Sequence, residues 1–230
     1  RRLGRPVRWV ADRMEGFMTD DHGRDVGIDA QLALDADGKF LALKVAYRID
    51  IGCYLSGRSH GLVNNIGGIA GVYRIGHIGA KVQGVFTNTQ TTAPYRGAGR
   101  PEATYTIERL IDLAARKLGL DAYELRRCNL VRPEAMPYAT GFVFTYDCGE
   151  FEENMKAAAK LADYAGFEQR RREAAGRGRL RGLGLANPIE VAAGPFIRPA
   201  KDTAWLKVGS DGSVTLRIGS VSTGQGHETP

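Results

Sequence analysis

The sequence predicts an α+β fold in which mixed sheets pack with helices, and three patterns indicate this class. Apolar residues alternate with polar ones through residues 26–47, as in a hairpin with one buried face. Apolar residues recur every three or four positions through 107–118, as in an amphipathic helix. A second alternating hairpin follows at 205–218. We expect residues 1–176 to form most of one domain and residues 177–230 to begin a second.

The first hairpin is predicted from alternation and turn chemistry. Residues 8–18 are interpreted as a strand that enters a short helical turn. The hairpin turn is expected at Asp35–Gly38, where aspartate and glycine suit a tight connection. The second strand is expected to bury Leu41, Leu43, Val45 and Tyr47. Gly52 is typical of a bulge, the glycine-rich residues 56–80 predict loops with short helical turns, and 81–87 predict a strand.

Helices are predicted for the middle of the chain. Pro101 suits the first position of a helix that Gly119 ends. The buried stripe of this helix is expected to contain Ile107, Leu110, Ile111, Ala114, Ala115 and Leu118. Asp121 is expected to cap a second helix, and Asp147 to cap a third that spans Phe151 to Ala162.

Composition allows a packed core, because 43% of the 230 residues are hydrophobic. The net charge is +6, and much of the excess lies in residues 170–182. A nucleic-acid site is one interpretation of this basic stretch. We favour a solvated helix end that runs into a linker, because no aromatic residue for base stacking lies between Phe167 and Phe196. Beyond the linker, residues 183–186 and 189–191 predict short strands.

The cellular context is predicted to be cytoplasmic. The sequence lacks both the run of roughly 18 apolar residues that a membrane span requires and a signal peptide. Cys53, Cys128 and Cys148 are too scattered for a disulfide framework or a thiolate metal site, and we interpret them as core thiols. We also expect a fragment of a longer protein, because the chain begins without Met and ends at the threshold of a new element.

A glycine-rich loop at Thr92–Thr104 is the strongest candidate for a binding site. Gly97 and Gly99 allow close approach of the backbone to a ligand, and Arg96 and Arg100 flank them at the start of a helix. This combination suits an anion. A surface turn with solvated arginines is the alternative, and the complete dinucleotide pattern G-x-G-x-x-G is missing.

A second glycine-containing stretch, Gly224–Thr229, could likewise present N–H groups to a phosphate or a base. A plain strand-to-helix turn is its alternative. His60 and His77 lack a second ligand at a recognised metal spacing, so neither predicts a metal site. His227 and Glu228 could begin a zinc-binding H-E-x-x-H helix, but the sequence ends before a second histidine.

Taken together, five stretches resemble the molybdenum-binding large subunit of the xanthine dehydrogenase, aldehyde oxidase and aerobic carbon monoxide dehydrogenase family. They are Arg5–Trp9, His22–Asp25, Ala93–Ala103, Leu125–Leu130 and Gly224–Thr229. Their order and spacing extend over nearly all of the chain.

The resemblance implies a molybdenum hydroxylase that oxidatively hydroxylates its substrate with water. The implied cofactor is molybdopterin with molybdenum, in bacterial members often as the cytosine dinucleotide. Electrons would leave through an iron–sulfur small subunit with 2Fe–2S clusters and a medium subunit with FAD. These partners imply a dimer of heterotrimers, with no nucleic acid and no membrane span. The cofactor would carry the chemistry, and the protein would position and tune it.

The resemblance also implies roles for particular residues. Arg96 would give electrostatic support to catalysis. The loop residues that would contact the cofactor are Gly97, Ala98, Gly99 and Arg100. Gln225, Gly226 and His227 would contact its dinucleotide or phosphates. No side chain of this chain would be a direct molybdenum ligand, since the cofactor holds the metal.

Departures from subfamily patterns narrow the expected substrate. Copper-containing carbon monoxide dehydrogenases have Cys at the position of Gly97, so no thiolate is present here to bind copper. Xanthine-oxidising enzymes have an aromatic residue at Ala98 and an Arg near Asn64. An aldehyde or an aromatic N-heterocycle is therefore expected. The family's catalytic Glu has no counterpart, so these residues alone should be inactive. A non-catalytic anion- or nucleotide-binding module, or a carbon monoxide dehydrogenase-like subunit without the Cys, remains the alternative.

Overall fold

The computed structural model describes residues 2–56, 66–190, 203–220 and 226, and it has the predicted α+β class. Contacts divide the chain into two compact units, Arg1–Glu190 and Val191–Pro230. None of the described helices is long and apolar enough to cross a membrane.

A three-stranded sheet forms the base of the first unit. Strand β1 is Val26–Leu34, β2 is Phe40–Gly52 and β3 is His77–Phe86. The order is β1-β2-β3, with β2 antiparallel to β1 and parallel to β3. The predicted hairpin is confirmed. Its turn is closed by Asp35, whose carboxylate accepts the N–H groups of Asp37 and Lys39 at 3.0 and 2.8 Å.

Two details of the sheet differ from the predicted alternation. Leu43, Val45 and Tyr47 are buried as expected, but Leu41 is 47% exposed. Register explains the difference, because Ala33 pairs with Ala42 while Leu34 pairs with Phe40, and the bulged Leu41 is left without a partner. The other difference is that β3 begins at His77 instead of residue 81.

The bulge expected at Gly52 is confirmed by a register shift between Asp50 and Gly52. A Cβ atom at Gly52 would lie 2.4 Å from both the Gln90 oxygen and the Thr91 Cα. Only glycine permits this approach of two backbone segments.

The described helices of the first unit are α1 (Arg13–Thr19), α2 (Arg100–Leu118), α3 (Ala122–Arg127), α4 (Phe151–Leu161) and α5 (Phe167–Gly176). The unit's described residues also form two 3-10 turns, Gly67–Ala70 and Pro133–Ala135, and a small pair of strands, β4 (Tyr138–Ala139) and β5 (Thr145–Tyr146). Asp12 and Glu15 form a capping box at α1, while the strand expected before it is absent between residues 6 and 12.

Helix α2 supplies the central apolar stripe of the core. Ala103, Ile107, Ile111 and Ala115 are at most 2% exposed and pack with residues of β2 and the first 3-10 turn. Leu118 was expected in the stripe but is exposed, because it lies in the last turn beside the left-handed Gly119 that ends the helix.

Three further expectations need correction. Asp121 caps α3 as predicted, but Asp147 does not cap α4, whose N-cap residue is Glu150 without a side-chain hydrogen bond. Residues 183–190 form no strand. Cys53 and Cys148 are exposed and Cys128 is half-buried, so none is a fully buried core thiol.

A buried polar network ties α2 to its neighbours. Arg126 is 0% exposed, and its guanidinium contacts Glu108 Oε2 and Asp112 Oδ1, each at 2.8 Å. The other Glu108 oxygen accepts the Tyr73 hydroxyl at 2.7 Å and the Asn187 N–H at 3.1 Å. Burial, with the charge of Glu108, raises the pKa of Tyr73 far above its usual value, so this hydroxyl remains a donor. The network holds the middle of α2, at Glu108 and Asp112.

The described part of the second unit is a hairpin, as predicted. Strands β6 (Ala204–Val208) and β7 (Val214–Ile218) are antiparallel, and the residues of both are exposed. Asp211 organises the turn by accepting the Ser213 N–H at 3.0 Å.

Candidate functional site: the loop at the N-terminus of helix α2

The approach to the glycine-rich loop is organised by Asp50 at the end of β2. Its carboxylate accepts the hydroxyls of Thr87 and Thr89, each at 2.6 Å, and the Gly52 N–H at 2.7 Å. Desolvation would raise the pKa of Asp50, but these hydrogen bonds outweigh it and hold the pKa below its usual value. The Asp50 carbonyl also accepts the Thr92 hydroxyl at 2.6 Å. These hydrogen bonds therefore fix the position of the chain just before the loop.

The loop itself consists of Tyr95–Gly99, and three of its residues have left-handed backbones. The angle φ is 90° at Gly97, 45° at Ala98 and 92° at Gly99. A tight turn results, in which the Ala98 N–H donates to the Tyr95 carbonyl at 2.6 Å and the Arg100 N–H donates to the Gly97 carbonyl at 3.1 Å. The second bond connects the turn directly to the first residue of α2.

Gly97 cannot be replaced without moving the loop. A Cβ atom there would lie 2.6 Å from Cγ and 2.7 Å from Cδ of Pro101. The proline ring is rigid and belongs to the first turn of α2, so it cannot yield as a long side chain would. Glycine is therefore required by both backbone conformation and space.

Several N–H groups of the loop and of the first turn of α2 have no acceptor among the described residues. They belong to Gly97, Gly99 and Glu102, and Gly99 is buried. Such unpaired donors at a helix N-terminus, together with the helix dipole, favour a negatively charged or oxygen-rich ligand.

The two loop arginines differ in their surroundings. Arg96 is exposed, and its side chain has no ion pair with another described residue. Arg100 forms an ion pair between its Nε and Glu190 Oε1 at 2.9 Å. It also lines a shallow groove of about 550 Å³ along the start of α2, with Tyr105 and Ile189 among the other lining residues. Arg96 is thus the loop cation that is open to a ligand.

The first turn of α2 is fixed to the sheet below it. The Tyr47 hydroxyl lies 2.7 Å from Thr106 Oγ1, which donates to the Glu102 carbonyl at 2.8 Å. Burial raises the pKa of Tyr47 to about 12, so the phenol stays neutral and hydrogen-bonded. Glu102 Oε2 is buried and has no hydrogen-bond partner among the described residues.

Arg24 contacts the loop although its own position in the sequence gave no reason to assign it a role. Its guanidinium donates to the Arg96 carbonyl and lies 4.9 Å from the centre of the Tyr95 ring. Its Nε is 3.5 Å from Glu102 Oε1. The stretch His22–Asp25, which contains Arg24, is one of the five that resemble the family. A contact between residues 72 positions apart, however, has no local sequence pattern that predicts it.

The predicted second stretch is largely outside the described residues. Gln225 and His227 lie outside the described residues, while Gly226 is described with a left-handed φ of 81°. His60 and Asn64, which belong to an earlier part of the chain, also lie outside the described residues. The structure therefore brings Arg96, Gly97, Ala98, Gly99 and Arg100 together in one loop. Their contacts with a cofactor stay predictions.

A glycine-rich loop at a helix N-terminus, with N–H groups that have no acceptor among the described residues, is a class of site that suits an anion. Comparison with known proteins gives the family. A model described as the molybdopterin cofactor-binding domain matches residues 1–130, and a second model of the same description matches 157–230. The chain belongs to the molybdopterin cofactor-binding domain family.

Relatives extend over the whole chain but are much longer. The carbon monoxide dehydrogenase large chain of Hydrogenophaga pseudoflava is 35% identical over 99% of this chain and 30% of its own length. A 6-hydroxypseudooxynicotine dehydrogenase complex subunit gamma of Paenarthrobacter nicotinovorans is 32% identical over 100% of this chain and 29% of its own length. This chain therefore spans about 30% of the length of these two curated relatives.

Among solved structures, quinoline 2-oxidoreductase from Pseudomonas putida 86 superimposes with a TM-score of 0.87. It is 35% identical, and the match covers 99% of this chain and 30% of that one.

The loop residues fit such a cofactor. A molybdopterin carries phosphate and metal-bound oxygen atoms that accept hydrogen bonds, and pterin nitrogens that donate them. Among the described residues, the N–H groups of Gly97 and Gly99 have no acceptor and Glu102 Oε2 has no donor. The two N–H groups suit the cofactor's acceptors, and the Glu102 oxygen suits one of its donors. The absence of a side chain at Gly97 lets the backbone approach closely.

Proposed function

We propose that this chain is part of the catalytic large subunit of a molybdenum hydroxylase, which oxidatively hydroxylates an aromatic N-heterocycle or an aldehyde with water. The observation that carries the proposal is the left-handed loop Gly97–Gly99, with unpaired N–H groups at the start of α2, in a chain of the molybdopterin-binding family.

The cofactor, when bound, supplies the oxidation chemistry and accepts the electrons of the substrate. The residues of this chain supply position and charge. Gly97 and Gly99 donate backbone N–H groups, and the exposed Arg96 guanidinium stabilises the negative charge that develops as the substrate reacts. Ala98 limits the bulk beside the reacting centre to a single methyl group. The proposed role of Arg100 is to contact the cofactor from the start of α2.

The substrate class is proposed from the loop and from the names of relatives. Gly97 provides no thiolate for copper, which argues against carbon monoxide oxidation even though one relative is a carbon monoxide dehydrogenase large chain. The small Ala98 leaves room for a planar ring. Quinoline 2-oxidoreductase and nicotine 6-hydroxylase are named for N-heterocyclic compounds, so this class is favoured over an aldehyde.

The finer assignments belong to the same proposal. The cofactor form would be the cytosine dinucleotide, contacted by Gln225, Gly226 and His227. Electrons would pass to 2Fe–2S clusters on a small subunit and FAD on a medium subunit, in a dimer of heterotrimers in the cytoplasm. The first cofactor-binding domain would end near residue 176, and the second would begin at residue 177.

Metal analysis and turnover by the full-length protein with its partner subunits test this proposal. The purified complex should contain molybdenum and should oxidise members of a heterocycle and aldehyde panel with an artificial electron acceptor. Arg96→Ala should lower turnover by roughly 10²-fold, the usual effect of removing one group that stabilises developing charge. Molybdenum content should not change, because backbone groups provide the other loop contacts.

Arg171→Ala is the matched control, since Arg171 is an exposed arginine of α5 paired with Glu168 at 3.0 Å. It should retain wild-type turnover. Unchanged turnover in Arg96→Ala would show that Arg96 has no role in the reaction. A wild-type complex without molybdenum or activity would instead favour a non-catalytic anion- or nucleotide-binding module.

A further inference from the structure

Arg24 reaches the loop because the backbone of His22, two residues before it, is paired with the segment that precedes the loop. The His22 N–H donates to the Thr91 carbonyl at 2.9 Å, and the Ala93 N–H donates to the His22 carbonyl at 2.8 Å. Gly23 then passes so close to Tyr95 that a Cβ atom would lie 3.0 Å from the Tyr95 Cβ. These contacts place the next residue, Arg24, beside the loop.

The backbone of Arg24 is itself unusual. Its φ of 61° is left-handed, and only Arg24, Ala98 and Asp163 combine this conformation with a side chain among the described residues. Two of the three therefore lie at this site. A left-handed backbone is unfavourable for a residue with a side chain and persists where surrounding contacts impose it.

The side chain of Arg24 makes three different contacts with the loop and with α2. The guanidinium donates to the Arg96 carbonyl, faces the Tyr95 ring at 4.9 Å and approaches Glu102 at 3.5 Å. It is 31% exposed. A planar guanidinium can make these three contacts at the same time. The ammonium group of lysine cannot, because it is not planar and lacks the forked arrangement of N–H donors.

The Arg96 carbonyl and the Gly97 N–H belong to one peptide unit. Because that unit is planar and trans, fixing the carbonyl direction also fixes the N–H, which points the opposite way. A charged donor on the carbonyl also polarises the peptide and strengthens its N–H as a donor. Arg24 thus acts on the Gly97 N–H, one of the loop N–H groups that have no acceptor among the described residues.

We propose that Arg24 is a positioning residue that fixes the Arg96–Gly97 peptide plane and so directs the Gly97 N–H towards the molybdenum cofactor. This proposal rests on the proposed function for the identity of the ligand. The action of Arg24 on the loop itself is independent of that function.

The test compares Arg24→Ala and Arg24→Lys with wild type in the full-length protein and its partner subunits. Arg48→Ala is the control, because Arg48 is an exposed arginine of β2 whose partner Asp29, at 2.9 Å, also lies in the sheet. Hydrogen exchange is measured by mass spectrometry on the peptide that contains the Ala98 and Arg100 N–H groups. Molybdenum content, kcat and KM are measured on the same preparations.

In Arg24→Ala we expect the loop amides to exchange about tenfold faster or more, the fold-change that corresponds to losing a hydrogen bond with a charged donor. We expect kcat to fall by a similar factor with KM and molybdenum content unchanged. Millimolar guanidinium ion should restore part of kcat in Arg24→Ala. Arg24→Lys should be intermediate, and Arg48→Ala should match wild type in all measurements.

Wild-type exchange and wild-type kcat in Arg24→Ala would overturn the proposal, as would an equal loss in Arg48→Ala. If Arg24→Ala fails to assemble, the same comparison is made with Arg24→Lys, in which wild-type exchange and kcat would overturn it. A wild-type complex without molybdenum would refute the proposed function, while the exchange comparison would still decide whether Arg24 fixes the loop.

Discussion

Replacing Gly97 by alanine tests whether the loop conformation matters for function. The added Cβ would lie 2.6 Å from Pro101 Cγ, against about 3.4 Å for ordinary contact, so one of the two must move by roughly 0.8 Å. A left-handed residue with a side chain costs about 1–2 kcal/mol, and overpacking costs about 1–3 kcal/mol more. The two backbone hydrogen bonds that close the loop contribute only about 1 kcal/mol each. The strain, about 2–5 kcal/mol in total, is at least as large as the contribution of these two hydrogen bonds, so we expect the loop to shift.

Displacement of a catalytic group by about 1 Å can lower a rate by about 10²-fold. We therefore expect Gly97→Ala to lower kcat by roughly that factor in the full-length complex. Gly119→Ala is the matched control, because Gly119 is also left-handed, with φ of 68°, but a Cβ there meets no atom within 4 Å. It lies at the far end of the same helix and should leave kcat unchanged.

The double variant Gly97→Ala with Pro101→Ala removes the atoms with which the new Cβ collides. Part of the lost kcat should return, because the two changes share one contact and are not additive. Wild-type kcat in Gly97→Ala, or equal losses in Gly97→Ala and Gly119→Ala, would refute the reasoning.

Two further predictions concern stability. Glu108→Gln should lower the free energy of unfolding by about 3–5 kcal/mol, because Arg126 would keep a buried charge without its main partner. In denaturant unfolding of the full-length subunit, the exposed pair variant Glu124→Gln should lose less than about 1 kcal/mol, and equal losses would contradict the prediction. Asp50 has a lowered folded-state pKa, so its stabilisation is present above its unfolded pKa of about 3.9 and is lost as pH falls through the folded value. The difference in unfolding midpoint between wild type and Asp50→Asn should shrink from pH 6 to pH 3, and a constant difference would exclude this contribution.

Periodicity was sufficient for the elements that bury one face. The first hairpin and α2 follow directly from apolar spacing, since each places its apolar residues on the face that meets the core. The second hairpin was predicted from the same alternation, although its strand residues are exposed. Leu41 escaped this reasoning because a bulge changes the phase of the strand at one residue, and a bulge has no signature in alternation alone.

The conformation of residues 183–190 depends on tertiary contacts and was not predicted from the sequence. Apolar residues at 183–186 suggested a strand, but the Leu185 carbonyl accepts a hydrogen bond from the buried Arg126 at 2.9 Å. Nearby, the Asn187 N–H donates to Glu108. These backbone groups are satisfied by side chains of α2 and α3 and not by a neighbouring strand.

In the candidate site, too, some residues could be predicted from local sequence and others only from tertiary contacts. Gly97, Gly99 and Pro101 were recognisable because glycine and proline restrict local backbone conformation. Arg24 was not, because its importance lies in a contact with a carbonyl 72 positions away. The sequence therefore indicated where the loop lies, and the structure was needed to identify what fixes it.

The most direct measurement of the central claim is the molybdenum content of the full-length protein purified with its partner subunits, determined together with the origin of the oxygen in the product. We expect molybdenum in amounts stoichiometric with the chain and a product labelled by ¹⁸O from water. A complex without molybdenum, or a product whose oxygen comes from O₂, would contradict the proposed function.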